Sequence, residues 1–285
     1  MRGSIADQNV LVNGSRVAHG QMGSGAPVVL IHGTPSSSYI WRNVAPRLVD
    51  AGFSVHVFDL LGYGRSERPF DPAIDTSVSA QVPVLKALMA YWEIERAHIV
   101  GHDIGGGVAQ RFCIFHPEMA TSLTLIDSVS LDSWPSSRTK EQMKAGLEVL
   151  IKAPDVDHRA HFREWLLSAV HHKDPFSTGA LDTYLELISG PIGQSSMVQH
   201  QMAHYDHRHT SEIAHRLPEL SAIPVQILWG ENDAWQNVAW AHKLHSVIPG
   251  AVLRLVPECG HFAMEDQPEE ISRLLISFID GVRGK

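Results

Sequence analysis

The chain has 285 residues, 44 % hydrophobic and 19 % charged, the balance of a soluble globular protein with one large domain or a core plus an insertion. A formal net charge of −8 leaves no surplus of Lys and Arg for phosphate contacts, so nucleic acid is not an expected partner. Cys113 and Cys259 alone imply no disulfide framework, and no apolar run approaches the ~20 residues that span a bilayer. With no signal-peptide core near the N-terminus, these features predict a cytoplasmic protein without a membrane partner.

In chain order, residues 8–20 read as a hairpin around "NGS", and "APVVLIHG" as a buried parallel strand stopped by Gly33. "YIWRNVAPRLVDAG" has helical spacing of Trp41, Val44, Leu48 and Val49. "FSVHVFDL" is the next strand, followed by the glycine-rich "LGYGRSERP", a helix over 75–92, and the strand "AHIV". A sharp turn and a helix to about Phe115 follow, then the strand "TSLTLIDS". The alternation breaks between Leu131 and Arg216, where only helical patches such as "EQMKAGLEVLI" and "HFREWLLSAV" occur. It resumes with "PVQILWG", a helix near 237–247, "AVLRLVP" and a last helix near 268–281. The pattern predicts an α/β fold: a mostly parallel sheet with helices on both faces and an inserted helical cap. Residues 1–130 and 217–285 would form the core domain and 131–216 the cap.

The chemistry concentrates at "HIVGHDIGGGVAQRF", residues 98–112. Gly101-His102-Asp103-Ile104-Gly105 has the glycine spacing of a nucleophile elbow, with Asp103 in the place of a hydroxyl. The structural alternative for Asp103 is a helix N-cap. His261 in "GHF" lies between the last strand and helix, and Asp233 in "ILWGENDAW" just past a strand end, giving the order nucleophile, acid, base. Asp127, after the preceding strand, is an alternative acid or a strand-end cap.

"HGTP", "DLLGYGRS", "GHDIGG", "WGEND" and "GHF", taken in order, resemble the α/β-hydrolase superfamily over nearly the whole chain. Asp103 makes the resemblance one to its aspartate-nucleophile branch, the epoxide hydrolases and haloalkane dehalogenases. The resemblance implies Asp103, Asp233 and His261 as catalytic residues, backbone N–H donors at Thr34 and Ile104, and no cofactor. A carboxylate attacks sp³ carbon to give an alkyl ester, so a small apolar electrophilic substrate is expected, an epoxide or a halide. Dehalogenases of this kind hold the halide with a Trp after the nucleophile and often an Asn in the HG-x-P loop. Ile104 and Thr34 stand there instead.

Epoxide hydrolases protonate the leaving oxygen with two cap tyrosines. Tyr205 fits the second, whereas "LEVLIKAP" holds no tyrosine where the first is expected, and Trp134, His171 or His172 are the substitutes considered. Opening of an epoxide to a diol is the leading expectation, with dehalogenation and a non-catalytic small-molecule receptor as the alternatives. His32, Trp41, Phe70, Trp134 and Phe262 are candidate pocket residues, which is also how core aromatics look. His200 and His204 have metal-ligand spacing, but without an intervening Glu or nearby Cys no metal site is expected. Oligomeric state is not readable from periodicity.

Overall fold

The computed structural model describes residues 5–283, so the opening "MRGS" lies outside the described residues. One sheet of eight strands organises the chain: β1 Gln8–Val12, β2 Ser15–Met22, β3 Ala26–Ile31, β4 Phe53–Phe58, β5 Ala97–His102, β6 Ala120–Ile126, β7 Val225–Gly230 and β8 Val252–Val256. Their order is β1-β2-β4-β3-β5-β6-β7-β8. β1 and β2 form the hairpin and β2 pairs antiparallel with β4. Every later pairing is parallel. β4, β5 and β7 are buried at every position, because helices cover both faces, and even polar members such as Ser54, His56, His98 and Gln226 are buried.

The flanking helices are α1 Ala45–Asp50, α2 Val78–Tyr91 and α3 Ile104–Phe115 on the N-terminal side. Between β6 and β7 lie α4 Ser137–Ala145, α5 Leu147–Lys152, α6 Asp155–Leu167, α7 Lys173–Gly179, α8 Leu181–Ile188, α9 Gly190–Ser196 and α10 Arg208–Ser211. A run of 3-10 turns over Ala214–Ala222 leads back to the sheet, and α11 Ala239–Val247, α12 Ala263–Asp266 and α13 Pro268–Arg283 complete the chain.

Two expected helices are divided. "YIWRNVAPRLVDAG" becomes a 3-10 turn at Ser38–Trp41 and a helix that begins only at Ala45, because Pro46 has no N–H and is tolerated in a first turn. "EQMKAGLEVLI" breaks at Gly146, which adopts φ 97° between α4 and α5.

The carboxyl ends of β3, β5, β6, β7 and β8 point to one edge of the sheet, where ligands bind in open α/β folds. The helical segment is tied to that edge. Phe262 N donates to Ala169 O at 2.8 Å, and the Asp266 carboxylate accepts from the amides of His171, His172 and Gly260 at 2.8, 2.9 and 2.7 Å. Tyr184 on α8 donates to Glu265, which also holds Arg42 in a bidentate pair.

Candidate active site

The turn between β5 and α3 places Asp103 at φ 51°, ψ −123°, a conformation that strains an L residue. Surrounding contacts over-determine it. Asp103 N donates to Ile126 O, while its carbonyl accepts from Gly106 N and Val129 N at 2.9 and 3.1 Å. The glycines make the approach possible: a Cβ on Gly105 would lie 2.3 Å from the His32 carbonyl oxygen, and one on Gly33 would lie 2.4 Å from Asp103 Cβ. The Asp103 side chain does not cap the helix in the usual way. Its Oδ2 accepts instead from Thr34 N at 2.8 Å, from the loop after β3, and the Ile104 amide also donates to the carboxylate. The two backbone donors expected for an oxyanion thus both reach the carboxylate of the nucleophile candidate.

The other oxygen, Oδ1, lies 3.8 Å from His261 Nε2, a nitrogen sealed from solvent and without a hydrogen-bond partner. His261 Nδ1 bonds Asp233 Oδ2 at 2.8 Å. Asp233 Oδ1 in turn accepts from Trp235 N and Gln236 N at 2.7 and 2.8 Å, fixing the carboxylate. The imidazole packs at a 31° tilt on Trp235 (centroids 4.9 Å), which stacks on Trp165 of α6 at 4.5 Å and 14°. Burial opposes charge on His261, but the charge and hydrogen bond of Asp233 together raise it above the ordinary histidine value. Burial pushes Asp103 up to about 6, against the opposing pull of His261 and the two amides.

Asp127 is not bonded to His261. Its Oδ1 accepts from Gly230 N at 2.8 Å, and its Oδ2 is buried, meets no protein donor and faces the Asp233 carboxyl. Burial and the charge of Asp233 drive its pKa well up.

A cavity of about 260 Å³ opens over Asp103, lined among others by Thr34, Ile104, Trp134, Tyr205 and Trp235. The Tyr205 hydroxyl forms a short hydrogen bond with Thr34 Oγ1, and burial holds the phenol well above its ordinary value, as a proton donor. Tyr63, missed in the sequence, turns its hydroxyl to the same pair. The signal was there: Gly62 and Gly64, at φ 87° and 49°, bend the "LGYGRS" loop and throw the ring inward.

Four pocket candidates are corrected. His32 is fully buried, with Nδ1 on Gly33 O and Nε2 accepting from Leu60 N, so it staples strand ends together. Trp41 is fully buried in the core, Phe262 packs behind His261 (centroids 5.9 Å), and Phe70 is exposed. Trp134 does line the cavity. His171 and His172 are exposed and do not. His200 and His204 are not part of any cluster of three or more metal-binding side chains among the described residues. No helix among them is long and apolar enough to cross a membrane.

Comparison with known proteins fits this geometry. The profile of the alpha/beta hydrolase family matches residues 28–274. An uncharacterized protein of Mycobacterium tuberculosis is 30 % identical over 94 % of this chain and 80 % of its own. A soluble epoxide hydrolase of Corynebacterium sp. (strain C12) is 27 % identical over 99 % of this chain and all of its own. The crystal structure of an alpha/beta hydrolase fold protein from Burkholderia ambifaria superposes with a TM-score of 0.85 at 30 % identity, covering 95 % of this chain and 97 % of the other.

Proposed function

The chain belongs to the alpha/beta hydrolase family, and within it we propose a hydrolase that opens an epoxide to a diol through a covalent ester on Asp103. The carrying observation is the division of labour on one carboxylate. Oδ2 is held by Thr34 N at 2.8 Å, while Oδ1 lies 3.8 Å from His261 Nε2.

Oδ1 attacks a ring carbon, the C–O bond breaks, and the ring oxygen takes the Tyr205 proton. Water then attacks Cγ of the ester as His261 Nε2 takes its proton. Charge develops on Oδ2, which the Thr34 amide already holds, with the Ile104 amide donating to the same carboxylate. Collapse releases the diol. The two protons of that water end on the second hydroxyl and on the phenol, so the site is restored with no cofactor. Residues 131–216 would act as the cap that carries Tyr205 and shuts the cavity.

Dehalogenation is the second reading. Two indole N–H groups that could have held a halide beside Asp103 are already committed, that of Trp134 to Thr210 Oγ1 at 2.8 Å and that of Trp235 to Ser168 Oγ at 2.9 Å. The relative from Corynebacterium, a soluble epoxide hydrolase, favours the first.

The test is intact-protein and peptide mass spectrometry of His261→Gln with epoxide and haloalkane panels. The variant is expected to stall with the whole mass of an epoxide on the Asp103 peptide. A gain of substrate minus hydrogen halide would replace this reading with the second, and no adduct from either panel would sink both. Tyr205→Phe is expected to slow ester formation from epoxides by ~10²- to 10³-fold, the usual scale for a lost general acid. Stopped-flow single turnovers check it, and a loss below threefold would remove Tyr205 from the mechanism. Turnover should also fall as pH drops through about 6, because the carboxyl that burial raises takes up a proton there and ceases to be a nucleophile. A pH–rate profile flat from 7 down to 5 would contradict this.

A further inference from the structure

The cavity has a floor and a rim of different chemistry. At the floor sits its acid, Asp103, only 4 % exposed. At the rim Arg138, in the first turn of α4, is exposed and lines the same cavity. Its guanidinium makes one side-chain contact, Nη2 to His161 Nδ1 at 3.3 Å, and is ion-paired with no carboxylate among the described residues. A neutral imidazole accepts one N–H but brings no negative charge, so the guanidinium charge stays uncompensated. Gln236 also lines the cavity and is 6 % exposed, and its carboxamide NH₂ makes no hydrogen bond among the described residues, so it is free to donate to an anion. A buried amide without a partner costs free energy that a ligand can return. The indoles of Trp134, Trp165 and Trp235 line the same cavity.

We propose that the substrate carries a carboxylate at the end remote from its reacting carbon, held by Arg138 at the rim with Gln236 as a second donor from the cavity wall, and with an aryl or other flat apolar body against the indoles. This rests on Asp103 as the reacting group. Electrostatics then sets the orientation. A carboxylate is repelled by Asp103 at the floor and attracted by an unpaired cation at the mouth, so the neutral electrophilic end leads inward. In a chain of net charge −8, a cation at the mouth also selects which anions reach the site.

The test uses inert probes, so it does not depend on the reaction. Phenylacetate and phenylacetamide, matched in shape and different in charge, are titrated against the wild-type protein with tryptophan fluorescence as the readout. Phenylacetate should bind about tenfold more tightly, as expected for a charge-assisted contact, with the preference shrinking as salt is raised. Arg138→Gln should bring the two probes to equal affinity, and Gln236→Leu should weaken phenylacetate about threefold, with unchanged melting temperatures confirming the fold. Equal affinities in the wild type, a preference that survives Arg138→Gln, or no saturable quenching by phenylacetate would each overturn the proposal. Adducts of neutral epoxides on Asp103 together with equal probe affinities would defeat this proposal alone. A carboxylate preference without any epoxide adduct would defeat the epoxide reading alone.

Discussion

Asp103→Ser is expected to fold normally and to lose at least ~10⁴-fold of epoxide turnover, the scale on which removal of a nucleophile acts when the rest of a site survives. The reason is not weaker attack alone. A serine that opened an epoxide would form an ether, and an ether has no carbonyl carbon for His261 to direct water against. In the proposed reaction the aspartate supplies both the attacking oxygen and, one bond away, the electrophile of the second step. The Thr34 and Ile104 amides would still converge at the elbow, but with no acyl group to polarise. Folding should be preserved because Asp103 is buried and its carboxyl is pushed up to about 6, so a smaller neutral side chain relieves desolvation. Turnover and thermal melting of the purified variant check both halves. Residual turnover within tenfold of wild type would mean that Asp103 is not the nucleophile.

The parts of this site that were legible in the sequence are those whose signal is local. Sheet strands buried on both faces give short apolar runs, and the elbow announces itself because five adjacent residues must be small or special for α3 to pass β5. His261 and Asp233 were legible because each follows a strand that ends at the same edge. The rest depends on convergence across the chain. Tyr63 and Tyr205 are 142 positions apart (205 − 63), and their hydroxyls meet through Thr34 only after β3, the "LGYGRS" loop and the helical segment have packed. Arg138, Trp165 and Gln236 likewise share a cavity without sharing a motif. His32 shows the opposite error: a side chain in a site-bearing motif that turns back to tie strand ends together.

The two buried carboxyls behind His261 separate in the same way, and paired amides should show it. Asp233→Asn is expected to cost about 10⁴-fold in turnover, the size found when the orienting carboxylate of a comparable triad becomes an amide. The asparagine either turns its NH₂ toward Nδ1, forcing the wrong tautomer, or turns its oxygen there and still cannot balance an imidazolium. The raised pKa of His261 owes its direction to Asp233, so this variant should also bring it down, readable by NMR titration of the ring. Asp127→Asn should cost less than about threefold. An amide reproduces what a protonated Asp127 offers, an oxygen for Gly230 N and a hydrogen-bond donor toward Asp233, with no charge to lose. Asp127→Leu, which leaves Gly230 N without its 2.8 Å acceptor and Asp233 without that donor, should cost more than the amide does. If Asp127→Asn were the crippling change and Asp233→Asn the mild one, Asp127 would be the acid that serves His261. The bond seen from His261 to Asp233 would then be a resting arrangement that gives way in turnover.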